Sequence, residues 1–298
     1  MFDRCCNMRS RIHYETIHNP KPISLSAGME KAVKNLLWYV PNIDSHQSPK
    51  IEFIEEKLYD DFTFTYIMNK MGMIEDRDVK WLDRNEEFSE EDWQYYESDI
   101  CDNCQKAIIS RCKKLTKTND LLRCVRNCIA HGHFAIVNDY IIGFNMQVTE
   151  KNPEGKKKAI IKIKPKLLLK ALESLSSPSA KEQLIGYAFG RMGYEVLDQH
   201  TSIEKPESDL MIKKGIRIYS IEVLDFKGKP YLHEEDLAEY FIRNNQRFDG
   251  INRVLFIDTS RVINAVREKE KETNGFRIID VSQVKEMLKD NPIDILAE

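Results

Sequence analysis

Residues 119–146 read Asn119-Asp-Leu-Leu-Arg-Cys-Val-Arg-Asn-Cys-Ile-Ala-His131-Gly132-His-Phe-Ala-Ile-Val-Asn-Asp-Tyr-Ile-Ile-Gly-Phe-Asn-Met146. The first part has apolar residues at helical spacing and predicts the end of a helical region that begins near residue 103. A break near residues 116–119 fits this pattern, and Asn119 would then cap the second half. Gly132 predicts the end of the helix, because glycine adopts the left-handed conformation readily. Two β-rich runs then flank Asn138-Asp139, which predicts a hairpin.

The apolar and polar residues of this helix fall on opposite sides. At about 100° per residue, three apolar side chains lie within about 60° of Val125 and predict the buried face: Leu121, Leu122 and Ile129. The other side carries a row spaced i, i+4, i+8: Arg123, Asn127 and His131. Arg126 lies on the flank between the two faces. The polar row is therefore expected to face either water or a second subunit.

These residue types are suited to cleavage of RNA without a metal ion. Histidine can take or give a proton near neutral pH, so His131 could assist the 2′-hydroxyl or the leaving 5′-oxygen. The arginine guanidinium offers a planar set of donors to phosphate oxygens, and Asn127 could orient either partner. His131 would also lie at the helix C-terminus, where the helix dipole favours a protonated ring. The alternative is an ordinary solvated helix face without a chemical role.

The motif Arg-Asn-x-x-Ala-His-Gly-x-Phe, from Arg126 to Phe134 on a helix that leads into a hairpin, resembles the HEPN superfamily. The resemblance extends over roughly residues 28–175 and implies a mostly helical domain with a β-hairpin over residues 1–175. In active families of this kind, two such helices face each other in a homodimer and form one composite cleft without a cofactor. The resemblance implies that Arg126 and His131 are catalytic and that Asn127 supports them. His133 is interpreted as a hairpin residue, with contact to RNA as the alternative. Other members are inactive dimerisation or recruitment modules.

A domain boundary is predicted at Ser174-Leu-Ser-Ser-Pro-Ser179, because proline and serine cluster between two patterned regions. From residue 178 to residue 298, predicted strands alternate with predicted helices. This alternation is typical of an α/β domain around a mixed sheet. The complete chain is therefore expected to be a two-domain α+β protein.

The second domain resembles the restriction-endonuclease-like fold, with a layout similar to the Mrr-type group. The resemblance implies a Mg²⁺ site between Asp209 and Glu222, with Glu182 as an additional acid. A lysine is expected two residues after the glutamate, but that position holds Leu224. Lys227 and Lys229 follow the predicted strand end and are the remaining candidates. DNA is the ligand that this domain would bind or cut, and the alternative is that both acids are ordinary strand-end charges.

Composition excludes some classes of protein. The net charge is −3, which argues against a globally basic nucleic-acid binder but not against a local basic groove. No run reaches the length of about 20 apolar residues that a membrane span needs, and the N-terminus has no apolar signal core. The seven cysteines do not form a disulfide framework, so the cytoplasm is the expected compartment. Cys101-x-x-Cys104 has half of a zinc-site spacing, with Cys112 the nearest further ligand.

Three functions follow as hypotheses. The first is a homodimeric, metal-independent endoribonuclease of an antiviral or toxin system, with RNA as substrate and a neutralising antitoxin as a further partner. In it, the second domain binds nucleic acid or a trigger. The second is a Mg²⁺-dependent DNA endonuclease in which the HEPN-like domain serves for dimerisation. The third is a nucleic-acid-binding or interaction protein without catalysis.

Overall fold

The computed structural model describes residues 11–14, 24–39, 54, 57–83, 86–150, 152–177, 180–199, 209–224, 229–245, 251–280, 283–289 and 291–297. Two compact units divide the chain, Met1–Ser176 and Ser177–Glu298. The division falls within the serine- and proline-rich segment that predicted a domain boundary.

The first unit contains four helices that pack against one another and that we call the helical layer: α1, α2, α5 and α6. The helices of this unit are α1 Ala27–Leu36, α2 Asp60–Met71, α3 Glu75–Asp78, α4 Glu90–Ser98, α5 Lys117–Ala130 and α6 Pro165–Leu175. Ser26, Ser89 and Thr116 cap α1, α4 and α5 by accepting a hydrogen bond from the backbone N–H three residues further on. Such caps satisfy N–H groups that the helix itself leaves unpaired.

The first unit also contains a five-stranded sheet, so the prediction of a mostly helical domain with one hairpin was too narrow. Its strand order is β2-β4-β7-β6-β5, with β2 and β4 parallel and the other pairs antiparallel. A separate antiparallel pair joins β1 and β3. The strands are β1 Arg11–His13, β2 Val79–Leu82, β3 Asp99–Cys101, β4 Lys106–Ser110, β5 Phe134–Val137, β6 Tyr140–Thr149 and β7 Asn152–Ile163.

Two local predictions around the motif were wrong. The helical region does not begin near residue 103, because residues 106–110 form the buried strand β4, which lies between β2 and β7 in the sheet. Helix α5 begins at Lys117 with Thr116 as its cap, and Asn119 is the residue whose N–H that cap binds. The hairpin prediction is confirmed: Asn138 adopts a left-handed φ of 53° between β5 and β6.

The two faces of the five-stranded sheet pack against different partners. Aromatic and branched residues of one face meet helix α4 in a common apolar cluster that includes Trp93, Ile108, Ile142 and Phe144. The opposite face packs against the helical layer, and Gly143 lies directly beneath Cys128 of α5. A Cβ atom at residue 143 would lie 2.9 Å from both Cβ and Sγ of Cys128. A side chain at residue 143 would thus displace the helix that carries the motif.

We expect Gly143→Ala to destabilise the first unit by about 1–3 kcal/mol, the usual cost of overpacking a dense core. The new methyl group would also lie 2.9 Å from Cγ1 of Ile161, so it has no free space. Urea unfolding followed by tryptophan fluorescence measures this unit alone, because all three tryptophans, Trp38, Trp81 and Trp93, belong to it. Gly28→Ala is the matched control, since its Cβ would meet only the flexible end of Lys166. Equal stability of the two variants would contradict the expectation.

The second unit is built around a mixed sheet of order β12-β11-β10-β9-β8, as the alternation after residue 178 predicted. Strands β10, β11 and β12 are parallel, whereas β8 and β9 pair antiparallel. The strands are β8 Glu195–Gln199, β9 Leu210–Lys214, β10 Arg217–Val223, β11 Ile251–Ile257 and β12 Phe276–Asp280. The helices are α7 Ala180–Arg191, α8 Glu234–Asn245, α9 Asn264–Glu272 and α10 Val284–Leu288.

No membrane-spanning helix is present in the part of the chain that the structure describes, because none there combines sufficient length with sufficient apolar character. The structure is therefore an α+β fold with two mixed five-stranded sheets, one in each unit.

Candidate active site

A cleft of about 1010 Å³ lies in the first unit, at the C-terminal half of α5. One wall is the segment 110–114, which follows strand β4, and another is formed by residues 145–148 of β6 together with Lys158 of β7. Helix α5 and the residues just after it contribute the remaining side chains: Arg123, Asn127, His131 and His133. The polar row predicted from the sequence thus lines a concave surface of its own protomer.

Helix α5 is oriented as the sequence predicted. Its buried face is apolar, with Leu121, Leu122, Val125 and Ile129 all at most 8% exposed. The helix ends where Gly132 takes a left-handed φ of 69°, and the backbone N–H of His131 donates to the Asn127 carbonyl at 3.0 Å. The capped N-terminus and the glycine at the C-terminus fix the length of the helix. The imidazole of His131 is thereby left exposed at the cleft.

Arg126 occupies a different position from the row. It is half-buried, and its Nη1 donates to Oδ1 of the neighbouring Asn127 at 3.1 Å. Of the two arginines on this helix, Arg123 is the one that lines the cleft. Within this protomer, Arg126 therefore contacts the candidate site through Asn127, whereas Arg123 can contact a ligand directly.

Asp120 anchors Arg111 and Arg123, two of the arginines that line the cleft. Its side chain is fully buried, and Oδ1 accepts a hydrogen bond from Nη2 of Arg123 at 2.9 Å. Oδ2 accepts from the backbone N–H of Cys112 at 3.0 Å and from Arg111. One carboxylate therefore joins α5 to the segment 110–114. Sequence reasoning missed this residue, although Asp120 lies three residues before Arg123 on the same helix, within reach of its guanidinium.

The charge of the cleft is strongly positive, in contrast to the net charge of −3 for the chain. Five cationic side chains line it: Arg111, Lys113, Lys114, Arg123 and Lys158. No carboxylate is among the described residues that line it. Asp120 offsets part of the charge of the two arginines, while Lys113 and Lys114 are exposed to solvent. Such a concave cationic surface attracts polyanions such as nucleic-acid backbones.

His133 is the second histidine of the cleft, and the sequence analysis had interpreted it as a hairpin residue with RNA contact as the alternative. Its ring centroid lies 6.2 Å from that of His131, with an angle of 35° between the ring planes. Both imidazoles are exposed and line the same cleft. The signal for this pair was present in the sequence as two histidines flanking the glycine that ends the helix. The sequence did not show that the backbone turn at Gly132 brings the two rings to the same cleft.

Cys124 and Cys128 lie beneath the polar row and face the sheet. Burial raises the pKa of the Cys124 thiol to about 11, against a smaller lowering by the hydrogen bond from Asn145. Burial also raises the pKa of the Cys128 thiol well above its usual range. Both thiols are therefore protonated at neutral pH, which makes them unsuitable as nucleophiles.

The cysteine pair Cys101 and Cys104 does not gather further ligands. Nζ of the buried Lys162 lies 2.6 Å from the carbonyl oxygen of Cys101 and 3.3 Å from Sγ of Cys104. Cys112 lines the cleft instead. Within the described ranges, no three His, Cys, Asp or Glu side chains come close enough to hold a metal ion.

Asp209 and Glu222 of the second unit have protein partners, whereas Oε2 of Glu182 is buried without a hydrogen-bond partner among the described residues. Oδ2 of Asp209 accepts a hydrogen bond from the backbone N–H of Val223 at 2.8 Å. Glu222 is buried beside Arg253 of the neighbouring strand, with Oε1 3.4 Å from Nη1. Burial raises the pKa of Glu182, and the charge of Asp209 raises it further. The charge of Asp209 therefore acts on Glu182, whereas Glu222 forms an ion pair with Arg253.

The position at which the Mg²⁺ site would need a lysine holds an apolar residue, Leu224. Leu224 packs against the buried cluster that contains Leu232, Leu237 and Leu255. Lys227 lies outside the described residues, and Lys229 forms an ion pair with Asp236. Because Glu222 is paired with Arg253 and Leu224 is packed into the core, the described residues do not fit the Mg²⁺ site that the resemblance implies.

Comparison of the chain with protein-family models, curated proteins and solved structures finds no match.

Proposed function

We propose that the protein is a metal-independent endoribonuclease whose active site is the cationic cleft of the first unit. The observation that carries the proposal is the convergence of Arg123, Asn127 and His131 on one cleft lined by cations. A phosphodiester backbone would be attracted by the surrounding lysines and arginines, and the histidine would supply proton transfer. Arginine would stabilise the additional negative charge that develops on the phosphate.

Each part of the site has a separate chemical task in this proposal. His131 transfers a proton to or from the reacting oxygens. Arg123 donates to the non-bridging phosphate oxygens, and its orientation is held by Asp120 from below. Asn127 positions the phosphate or the imidazole, and Arg126 holds the amide of Asn127 in place. Removal of Arg126 would then act through Asn127, unless a second subunit brings Arg126 to the substrate in the composite arrangement that the HEPN resemblance implies.

The wider biological setting remains part of the proposal. A homodimer, a role in antiviral defence or as a toxin, and a neutralising partner follow only from the HEPN resemblance. In this proposal the second unit would bind nucleic acid or a trigger. The cytoplasm remains the predicted compartment.

The test is cleavage of end-labelled RNA and DNA by the purified chain, with and without EDTA. We expect RNA cleavage to persist in EDTA, because every group assigned a task is a side chain of the protein. Cleavage is expected to weaken steeply with salt, because several lysines and arginines would release counterions from the RNA. Asp209→Ala serves as the matched variant and should cut RNA as well as the wild type.

Two other functions are distinguished by the same experiment. Cleavage of DNA that requires Mg²⁺ and is lost in Asp209→Ala would assign the chemistry to the second unit, where Glu182 and Asp209 influence each other. Binding of RNA without cleavage under any condition would leave a nucleic-acid-binding protein. Either outcome would overturn the endoribonuclease proposal.

A further inference from the structure

We infer that His133 is a second catalytic residue of the cleft, so that one protomer holds both proton-transfer groups for RNA cleavage. The inference rests on the proposed function and extends it, since the HEPN resemblance assigns no task to His133. It also changes what a second subunit is needed for. If both histidines act within one protomer, catalysis does not require a composite site formed by two chains.

The position of the His133 ring is fixed by its backbone. The N–H of His133 donates to the carbonyl of Cys128 at 2.9 Å, and its own carbonyl accepts from the N–H of Phe144 at 2.9 Å. The first bond ties the residue to the last turn of α5, and the second ties it to strand β6. His133 is therefore held between the helix and the sheet while its side chain remains exposed at the cleft.

The separation of the two rings suits one phosphate between them. Their centroids are 6.2 Å apart, and proton transfer needs a heavy-atom distance of about 2.6–3.2 Å on each side. A phosphate that lies over the gap between the rings can therefore have its entering oxygen near one imidazole and its leaving oxygen near the other. Histidine pairs are suited to this task because one ring can be neutral while the other is protonated near neutral pH.

The reaction balances without a metal ion or an added reactant. Neutral His133 takes the proton of the 2′-hydroxyl, and the resulting oxygen forms a bond to phosphorus. The bond from phosphorus to the 5′-oxygen breaks, its electron pair stays on that oxygen, and protonated His131 supplies a proton. The products are a 2′,3′-cyclic phosphate and a free 5′-hydroxyl. In this scheme His131, at the C-terminus of α5, is the acid and His133 is the base.

The groups around the two rings fit a negatively charged transition state. Arg123 faces them from α5, Lys113 and Lys114 from the segment after β4, and Lys158 from strand β7. No carboxylate lines the cleft among the residues that the structure describes. The buried acid of α5, Asp120, is bound by Arg111 and Arg123. The surroundings therefore favour the phosphate over a competing internal carboxylate for each imidazole.

The experiment compares His133→Ala and His133→Gln with the wild type on a labelled RNA in EDTA. We expect a loss of about 10²–10⁴-fold in the cleavage rate, which is the usual contribution of one general acid or base. We also expect the limb of the pH–rate profile that reports the base to disappear. Folding should be preserved, because the two hydrogen bonds of residue 133 come from its backbone and its side chain is exposed.

A substrate with sulfur in place of the 5′-oxygen separates the two roles. A thiolate leaves without protonation, so His131→Ala should regain most of its lost rate on this substrate, while His133→Ala should not. A mixture of His131→Ala and His133→Ala chains tests whether both groups act in one protomer. If each active site combined His131 of one chain with His133 of the other, a mixed dimer would contain one intact site. If both histidines act within one chain, a mixed dimer would contain none.

Several outcomes would overturn the inference while leaving the proposed function intact. One is a His133→Ala variant that cleaves RNA at the wild-type rate with an unchanged pH profile. Another is restored cleavage in the mixture of the two variants. Equal rescue of both variants by the sulfur substrate would also exclude distinct acid and base roles. If the wild-type chain itself cleaves no RNA, the proposed function fails first, so the two failures are distinguishable.

Discussion

Replacement of His131 by alanine is expected to lower the rate of RNA cleavage by about 10²–10⁴-fold, the effect of removing one general acid or base. His131 lies at the C-terminus of α5, and its exposed ring lines the cleft beside the cationic side chains. The neighbouring His133 is assigned a separate task as the base, so it is not expected to replace the lost imidazole. The change should appear in kcat more than in KM, because the lysines and arginines that attract RNA are retained.

The control for this variant is His13→Ala in the same unit. His13 is exposed and paired with Asp99, and it lies on strand β1, which is not part of the cleft. Its removal should leave cleavage unchanged. Single-turnover kinetics on a labelled RNA, together with the urea midpoint of each variant, would separate a chemical effect from a loss of folded protein. An equal loss of activity in the two variants would contradict the assignment of His131.

Replacement of Asp120 by alanine is expected to destabilise the first unit by about 3 kcal/mol. Removing one partner of a buried ion pair usually costs about 3–5 kcal/mol, because the remaining charge loses its compensation. We take the lower end of that range because Arg111 and Arg123 keep side-chain exposures of 22% and 38% and can be partly hydrated. The backbone N–H of Cys112 would also lose its acceptor.

The measurement for Asp120 is the urea midpoint followed by tryptophan fluorescence, which reports this unit alone. Asp139→Ala is the matched control, because Asp139 forms an exposed ion pair with Lys166, and such pairs contribute at most about 1 kcal/mol. Asp120→Ala should also weaken RNA binding, since two cations of the cleft would lose their fixed orientation. A stability change no larger than that of Asp139→Ala would show that Asp120 does not anchor the cleft.

The two units differ in how well sequence patterns predicted their helices and strands. In the second unit, the alternation of short apolar strands and helices matched the observed elements from Ala180 to Leu288. In the first unit, Lys106–Ser110 was assigned to a helix, although all five of its residues are buried in a strand that lies between two others in the sheet. A short apolar run has no periodicity that separates a central strand from a buried helix. The pairing of β4 with β2 and β7 resolves the ambiguity, and both partners are distant in sequence.

The sequence by itself determined the two faces of α5, its end at Gly132 and the hairpin at Asn138, because helical periodicity and turn chemistry are local properties. It also determined the division of the chain near residue 176. Only the tertiary structure decided that Arg123 rather than Arg126 lines the cleft, that Asp120 holds the cations, and that His133 meets His131. These relations depend on where the segment 110–114 and strands β6 and β7 pack against the helix. Such packing is set by contacts between residues far apart in the chain, which no local pattern specifies.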